Sequence, residues 1–297
     1  MTNRIRELRL HDQLDDPAEA EVWVSVVPES VTPTTELRGR LVGPRCLYAS
    51  TVEVAYPMRP FVRQPPALPG LAARVVIPEA SLWEPVSPFL YLGPIELWED
   101  GKVCDQIQVR HGLRTLRLGP RGLRLNGRPL TIRGVAQEEC TEEDARRLRE
   151  QGCNTLLAPV SGGTSAVWEA ADRLGFLVLD RLGGSEEAIR RARNLGQHPC
   201  CLGWLLDGEV LEQEREAKAL ASLKQDWPGK LLGVELQRVP LQPLAPGIHF
   251  AVCVEELLPL LKEVELPKIV LTREQPREES INELLAMPGI LGSIVTP

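Results

Sequence analysis

Residues 131–297 contain eight short apolar runs that alternate with charged, helix-like segments, and this alternation constrains the fold more than any other feature. Strands that alternate with helices are typical of parallel sheets, and eight such units predict a closed (β/α)8 barrel of the TIM type. An open doubly wound sheet is the alternative, although no GxGxxG or Walker-type loop supports it. The runs cover 131–136, 154–160, 175–180, 202–207, 230–236, 247–254, 267–272 and 290–296.

The segments between the runs carry helix boundary signals. Thr141 with Asp144, and Ser280 with Glu283, have the spacing of capping boxes at helix starts. Glycines at 152, 175 and 196 predict helix ends. Between the fifth and sixth runs, QRVPLQPLAP is too rich in proline for a helix. The barrel predicted over 131–297 is therefore compact compared with the roughly 250 residues typical of the fold.

Residues 1–115 follow a different pattern, with short β-rich stretches separated by proline and glycine. The stretches cover 20–28, 35–43, 46–57, 71–78 and 91–100. This spacing predicts an immunoglobulin-like β-sandwich. Asp-Gly at 100–101 indicates a tight hairpin turn, and Asn-Gly at 126–127 indicates a second one within a linker hairpin over 116–130.

Charge and cysteine content exclude several classes of function. A net charge of −7 argues against nucleic-acid binding, which requires a basic surface. No apolar run approaches the length of a membrane span, and no signal peptide is visible at the N-terminus, so a cytoplasmic protein without membrane contact is expected. The seven cysteines form no CxxC pair. Buried reduced thiols are therefore expected, with neither a metal site nor a cofactor.

Several motifs, taken in order, resemble glycoside hydrolase family 2, the β-galactosidase and β-glucuronidase family, in a divergent and shortened form. LWEPVSPFLYLGPIEL (82–97) is similar to the strand that closes the family's immunoglobulin-like domain. The stretch 111–135 resembles its linker, with LNGRP and RGV in order. GCNTL, WEAADRLGFLVLD and HPCCLGWLLDGE are similar to its barrel strands two, three and four. The resemblance covers roughly residues 82–209.

The resemblance implies two catalytic glutamates at the carboxyl ends of strands four and seven. Glu209 falls on the general acid/base, although Gly208 replaces the asparagine that precedes it in the family. Arg273 stands where the nucleophile should be, and Glu274 is one residue further. Because side chains alternate along a strand, Glu274 would need a bulge at 272–273 to face the pocket. The non-catalytic interpretation of Glu209 is a carboxylate in the first turn of a helix, where the helix dipole stabilises a negative charge.

Other positions depart from the family pattern or offer further candidate ligands. Ala136 and Glu138 replace the strand-one asparagine and histidine, and Leu157 replaces the strand-two arginine. The remaining candidates for substrate binding are Asp180, Asp207, Glu138, Glu235 and Trp204. Crowded carboxylates at a barrel mouth suit acid/base work, but polar strand ends are common in every barrel. Asp180 is alternatively an ion-pair partner of Arg181 or Arg173, and Trp204 alternatively a core residue.

Two functions follow from these residues. The first is a family-2-like scaffold of carbohydrate metabolism with impaired catalysis, which binds a carbohydrate or a protein. The second is an active retaining β-glycosidase that uses Glu209 as acid/base and Glu274 as nucleophile. We favour the first, because the lost nucleophile, asparagine, histidine and arginine together supply much of the transition-state binding.

Overall fold

A computed structural model describes residues 3–14, 18–61, 65, 68–137, 141–159, 165–183, 185–208, 223–227, 229–240, 244, 246–273 and 278–296. The chain divides into two compact units, Met1–Arg114 and Thr115–Pro297. The first is an antiparallel sandwich and the second contains a closed parallel barrel. Among the described residues, no helix is both long and apolar enough to cross a membrane.

The first unit has the strand order β1-β2-β5-β4-β3-β6-β7, which is that of a constant-type immunoglobulin sandwich. Strand β4 joins the two sheets, because residues 54–57 pair with β3 and residues 58–60 pair with β5. Valines at 22, 24, 26 and 75 fill the core from alternate positions. The strands are β1 (Ile5–Gln13), β2 (Glu19–Pro28), β3 (Glu36–Arg45), β4 (Val54–Pro60), β5 (Leu71–Pro78), β6 (Leu90–Glu99) and β7 (Lys102–His111).

A tyrosine corner fixes the start of β6, as in many immunoglobulin-like domains. The Tyr91 hydroxyl oxygen accepts a hydrogen bond from the Ser81 backbone nitrogen at 2.9 Å and lies 3.4 Å from the Ser81 carbonyl oxygen. Burial raises the pKa of Tyr91 to about 12. At the other end of β6, Asp100 and Gly101 have φ of 50° and 71°, so the predicted Asp-Gly turn is confirmed.

The predicted stretches of the sandwich omit strands β1 and β7 and misplace the start of β4. Strand β1 lies in IRELRLHDQ, whose frequent charges weaken the apolar alternation of a half-buried strand. Strand β4 begins at Val54, and the part of the predicted 46–57 strand before it is loop.

The second unit opens with a small antiparallel sheet, and then the chain forms the barrel. Asn126 and Gly127 form the predicted turn with φ of 50° and 76°. The small sheet contains β8 (Leu116–Gly119), β9 (Gly122–Leu125) and β10 (Arg128–Pro129). The barrel strands are β11 (Ile132–Ala136), β12 (Thr155–Ala158), β13 (Leu177–Leu182), β14 (Cys201–Asp207), β15 (Leu231–Leu236), β16 (Phe250–Val254), β17 (Lys268–Thr272) and β18 (Ile290–Val295).

The barrel closes because β11 pairs in parallel with both β12 and β18. Each apolar run of the sequence overlaps one barrel strand, and the strands extend beyond the runs by two residues at the end of β13 and by one at the start of β14, so the eight-stranded barrel is confirmed and the open sheet is excluded. The described helices are α1 (Glu142–Glu150), α2 (Ser165–Leu174), α3 (Glu186–Leu195), a 3-10 helix (Glu255–Leu261) and α4 (Glu278–Ala286).

Helix boundaries agree with the sequence signals in α1 and differ in α4. Thr141 and Asp144 form a reciprocal capping box at the start of α1. Gly152 and Gly175 follow α1 and α2 with φ of 79° and 77°, conformations that favour glycine. Helix α4 already includes Glu278, so the predicted helix start at Ser280 is wrong.

Inward-facing side chains fill the barrel in layers contributed by alternate strands. The layer below the mouth consists of Leu157, Leu205, Val252 and Ile294, all 1% exposed or less. Lower in the barrel, the Phe250 ring occupies space left by Gly233, where a Cβ would lie 2.3 Å from the ring. The interior is therefore a packed apolar core, and polar chemistry is confined to the strand ends.

Candidate functional site

The floor of the barrel mouth is an ion pair between Arg181 of β13 and Glu235 of β15. Two hydrogen bonds join the guanidinium to the carboxylate, at 3.0 Å and 3.1 Å. Their side chains are 26% and 21% exposed, so the pair lies mostly out of solvent. Arg181 and Glu235 come from alternate strands and share a layer with Ala136 and Leu271. Glu235, one of the predicted substrate-binding residues, is thus already paired with a cation.

Asp207 lies beside this pair at the end of β14. It aligns with Glu235 across the β14–β15 ladder, and its side chain is exposed. The next residue, Gly208, donates its backbone N–H to the Glu235 carbonyl oxygen at 3.1 Å. A Cβ at position 208 would lie 3.0 Å from that same oxygen. The close backbone approach therefore disfavours an asparagine there without a small shift of the loop.

The end of β17 determines which residue faces the mouth at strand seven. Ile269 and Leu271 are aligned with inward-facing residues of β18, and the strand ends at Thr272. Arg273 is exposed. The register irregularity of β17 lies between Lys268 and Ile269, at the start of the strand, and the pairing with β18 continues to Thr272. Arg273 is therefore the first residue after β17, and it occupies the position that the resemblance assigns to the nucleophile.

The other two described candidates lie on the helix-facing side of the barrel. Asp180 and Trp204 are register partners on β13 and β14, and both are 0% exposed. Strand β13 continues two residues beyond Asp180, so the aspartate does not end the strand as expected. The predicted catalytic residues Glu209 and Glu274, and the predicted ligand Glu138, lie outside the described residues.

Asp180 has an environment that suits its neutral form. Neither carboxylate oxygen makes a hydrogen bond, and Arg191 of α3 is 3.5 Å away. Burial raises the pKa of Asp180 to about 6, and the positive charge of Arg191 partly opposes the shift. Of the two ion-pair partners considered for Asp180, Arg181 instead bonds Glu235 and Arg173 bonds Glu142.

A second polar cluster, missed from the sequence, lies at the opposite end of β14. Asp172 of α2 is buried and lies 2.7 Å from His198 Nδ1, and it also accepts the Cys200 backbone N–H at 3.0 Å. These three residues are the described group whose ligand atoms lie close enough for a metal, within 4.8 Å of one another. The 2.7 Å contact is shorter than the ~3.3 Å edge between two ligands of a tetrahedral zinc ion. The cluster is therefore arranged as a hydrogen-bonded network.

Comparisons with known proteins agree with the barrel and sandwich geometry. No family model matches the chain. A β-galactosidase of Bacteroides ovatus is 25% identical over 181 residues, which cover 49% of this chain and 21% of that enzyme. A β-glucuronidase of Bacteroides fragilis is 24% identical over 196 residues, which cover 52% of this chain and 28% of that enzyme.

Solved structures extend the likeness over nearly the whole chain. A β-glucuronidase from Ruminococcus gnavus covers 99% of this chain with a TM-score of 0.72 at 15% identity. A glycosyl hydrolase family 2 member from Bacteroides cellulosilyticus covers 99% with a TM-score of 0.70 at 17% identity. The chain is thus similar in sequence and fold to proteins of glycoside hydrolase family 2, in a divergent and shortened form. It spans 60% and 44% of the lengths of these two neighbours, and its matches span under a third of the curated relatives.

The described mouth differs from the catalytic pattern that the resemblance implies at each of the following positions. Gly208 replaces the asparagine, Ala136 lies in the floor layer, and Leu157 is buried one layer lower. Arg273 follows the last residue of strand seven and is exposed. Together these residues leave a mouth with one ion pair, one exposed aspartate and an exposed arginine.

Proposed function

We propose that this chain is a non-catalytic member of the family 2 fold that binds a carbohydrate at the barrel mouth. The observation that carries the proposal is that an exposed arginine, Arg273, directly follows β17, at the position that the resemblance assigns to the nucleophile. A retaining glycosidase needs two carboxyl groups about 5–5.5 Å apart on either side of the anomeric carbon. An arginine at one of these positions cannot attack that carbon.

Polar groups of the mouth support carbohydrate as the ligand. The Arg181–Glu235 pair offers guanidinium donors and carboxylate acceptors on a rigid floor, and the exposed Asp207 carboxylate lies beside it. Sugar hydroxyls act both as donors and as acceptors, so they can bond to both members of such a pair. The apolar Val254, 40% exposed at the end of β16, offers a small surface for a ring face.

The alternative is an active retaining β-glycosidase with Glu209 as acid/base and Glu274 as nucleophile. The exposed, inward Asp207 favours it, because it shows that a carboxylate at the end of strand four is accessible from the mouth. A panel of aryl β-glycosides, assayed with wild type and Glu209→Gln, separates the two functions. We expect no hydrolysis above background by either protein, whereas turnover that disappears in Glu209→Gln would establish the glycosidase.

Binding is tested on the same proteins by calorimetric titration with methyl β-galactoside and methyl β-glucuronide. We expect Asp207→Asn and Glu235→Gln to weaken binding of the preferred sugar by about tenfold, the effect of losing one charged hydrogen bond. Glu143→Gln, an exposed acid on α1, is the matched control and should leave the affinity unchanged. Absence of heat with both sugars, together with absence of turnover, would count against a carbohydrate at this mouth.

A further inference from the structure

The small antiparallel sheet of the second unit, β8–β10, lies in an arginine-rich stretch of the chain that contains no acid. Residues 106–137 include seven arginines and neither aspartate nor glutamate, whereas the whole chain has a net charge of −7. Strand β10 ends at Pro129 and β11 begins at Ile132, so the sheet adjoins the amino-terminal end of a barrel strand. The mouth lies at the carboxyl-terminal ends of the strands. The sheet is therefore a surface separate from the candidate site.

Two of these arginines lie opposite each other in the sheet. Arg117 of β8 and Arg124 of β9 are register partners, so their side chains start from the same face with Cβ atoms about 5 Å apart. On the other face, Leu123 and Leu125 are 3% exposed, so the arginines lie on the solvent side. Like charges directly opposite each other destabilise a sheet. An anion bound between the two guanidinium groups would remove this cost.

No acid among the described residues neutralises these charges. The Arg124 guanidinium donates from Nε, at 2.8 Å, and from Nη2 to the Gly127 carbonyl oxygen, which holds the group in place and leaves its charge unbalanced. Arg117 is exposed, and its side chain forms no hydrogen bond or ion pair with any residue that the structure describes. The same is true of Arg121, in the turn between β8 and β9. We name Arg117, Arg121 and Arg124 the arginine face.

The surface beside the two opposed arginines is open. Gly119 and Gly122 form the next register pair on the same face, and a Cβ at either position would contact nothing within 4 Å. The two missing side chains leave a shallow step in the sheet surface. Arg117 and Arg124 lie on one side of this step, and the turn that contains Arg121 lies on the other. A small ring placed on the step is therefore within reach of guanidinium groups.

The chemistry of the arginine face favours an acidic sugar chain over a nucleic acid. Guanidinium groups present forked N–H donors that match the oxygens of a carboxylate. Proteins bind single-stranded nucleic acids largely by stacking bases on aromatic rings, and residues 112–137 contain no aromatic residue. The net charge of −7 opposes the approach of a nucleic acid duplex. A chain of uronic acids supplies both carboxylates for the arginines and rings for the glycine step.

We propose that the arginine face binds an acidic polysaccharide. Its carboxylates pair with Arg117, Arg121 and Arg124, and one sugar ring lies over Gly119 and Gly122. This binding does not depend on the sugar site proposed at the barrel mouth. A carboxylate held between Arg117 and Arg124 also removes the repulsion between them, so the ligand stabilises the folded chain.

The test is a calorimetric titration of the full chain with a purified oligogalacturonate at low ionic strength. We expect Arg117→Gln and Arg121→Gln, both at exposed positions, each to weaken binding by about tenfold, the effect of losing one charged hydrogen bond. Arg40→Gln is the matched control, because it removes the same charge from an exposed position on β3 of the other unit. Sodium chloride should weaken binding by wild type more than binding by Arg117→Gln, because fewer charges remain to be screened in the variant.

The stability of the free chain supplies a second readout. Because Arg117 is opposite Arg124, Arg117→Gln should raise the Tm at low ionic strength, and the gain should shrink at high ionic strength. A Tm lowered by Arg117→Gln would show that Arg117 serves the sheet itself, and it would count against the proposal.

Three further ligands test the chemical class of the partner. The methyl-esterified oligogalacturonate keeps the sugar rings but lacks the charges, so it should not bind. Poly-glutamate and single-stranded DNA carry the charges without uronic acid rings, so both should bind more weakly than the oligogalacturonate. Binding of the ester, or binding of either polyanion as tight as that of the oligogalacturonate, would overturn the proposal. Unchanged affinity in Arg117→Gln, or no binding at low ionic strength, would overturn it as well.

Asp207→Asn separates this surface from the function proposed for the mouth. It should weaken the binding of methyl glycosides at the mouth and leave the affinity for the oligogalacturonate unchanged. Loss of oligogalacturonate binding in Asp207→Asn would assign this ligand to the mouth and overturn the proposal. Failure of the methyl glycosides to bind would leave the arginine face unaffected.

Discussion

Asp172 and Asp180 are equally inaccessible to solvent, yet they are supported in opposite ways. Both side chains are 1% exposed or less. Asp172 accepts hydrogen bonds from the Cys200 backbone and lies against the His198 imidazole. Asp180 has no hydrogen bond and one arginine at 3.5 Å. The contrast shows that burial alone does not set the free-energy cost of an ionised carboxylate, because hydrogen bonds from the protein can replace those lost from water.

The two acids also lie at opposite ends of the barrel. Asp172 joins α2 to the entrance of β14, at the amino-terminal end, where barrels of this type gain stability. Asp180 lies two residues from the carboxyl-terminal end of β13, near the loops where such barrels carry function. The buried acid without hydrogen bonds is therefore found at the end of the barrel that carries binding sites in this fold.

Removing Asp172 should produce the largest effect on stability. Asp172→Ala would leave the His198 ring and the Cys200 N–H without their acceptor inside the protein. We expect the free energy of unfolding to fall by about 3–5 kcal/mol, the usual cost of breaking a buried polar pair. Urea denaturation followed by circular dichroism measures it. Cys201→Ser, at the first residue of β14 and outside the cluster, is the control. An equal loss in both variants would show that the hydrogen-bonded network does not add to stability.

Replacing Asp180 should change the free energy of unfolding in the opposite direction. Its folded-state pKa lies above the unfolded value, so the folded protein holds the proton more tightly, and stability falls as pH rises from about 4 to above 6. A shift of about two units corresponds to ~3 kcal/mol. Asp180→Asn should therefore raise the free energy of unfolding at about pH 8 by up to that amount, with little change near pH 4. A variant less stable than wild type at pH 8 would contradict the reading of Asp180 as a destabilising acid.

Glu235 is intermediate between these two acids, because it is partly exposed and carries a bidentate partner. Glu235→Gln keeps the shape but removes the charge that balances Arg181. We expect a loss of about 1 kcal/mol, smaller in high salt because solvent screens the pair. Thermal unfolding at low and high sodium chloride concentration measures both parts. A loss of stability that does not depend on salt would show that Glu235 contributes through packing and not through its charge.

Much of the architecture could be predicted because the strands are short, apolar and regularly spaced. Each barrel strand overlaps one predicted run, six of them lying wholly within it, and both turns containing glycine form where the sequence indicates. The direction of Asp180 could not be predicted, because LVLDRL has apolar residues on both faces and carries no alternation from which to read the inward side. The Asp172–His198 contact joins residues 26 positions apart, and no local pattern reports it.

The candidate site was partly accessible from sequence for a related reason. Residues at the carboxyl ends of strands lie at the mouth by topology, so Asp207 and Glu235 were identifiable as mouth residues. The Arg181 partner of Glu235 was not identifiable, because it depends on the stagger of alternate strands. That stagger is a property of the closed barrel and not of any one segment.

The double pairing of strand β4 lowers the tendency of the sandwich to aggregate through its edge strands. Because β4 pairs with both β3 and β5, the seven strands form one continuous ribbon that leaves only β1 and β7 as edges among the described strands. The Asp105 carboxylate of β7 accepts the Ile5 backbone N–H of β1 at 2.8 Å, so one edge amide is already occupied. Charged side chains along β1, such as Arg6 and Arg9, further oppose the addition of a foreign strand. The unit is thereby protected against edge-to-edge aggregation.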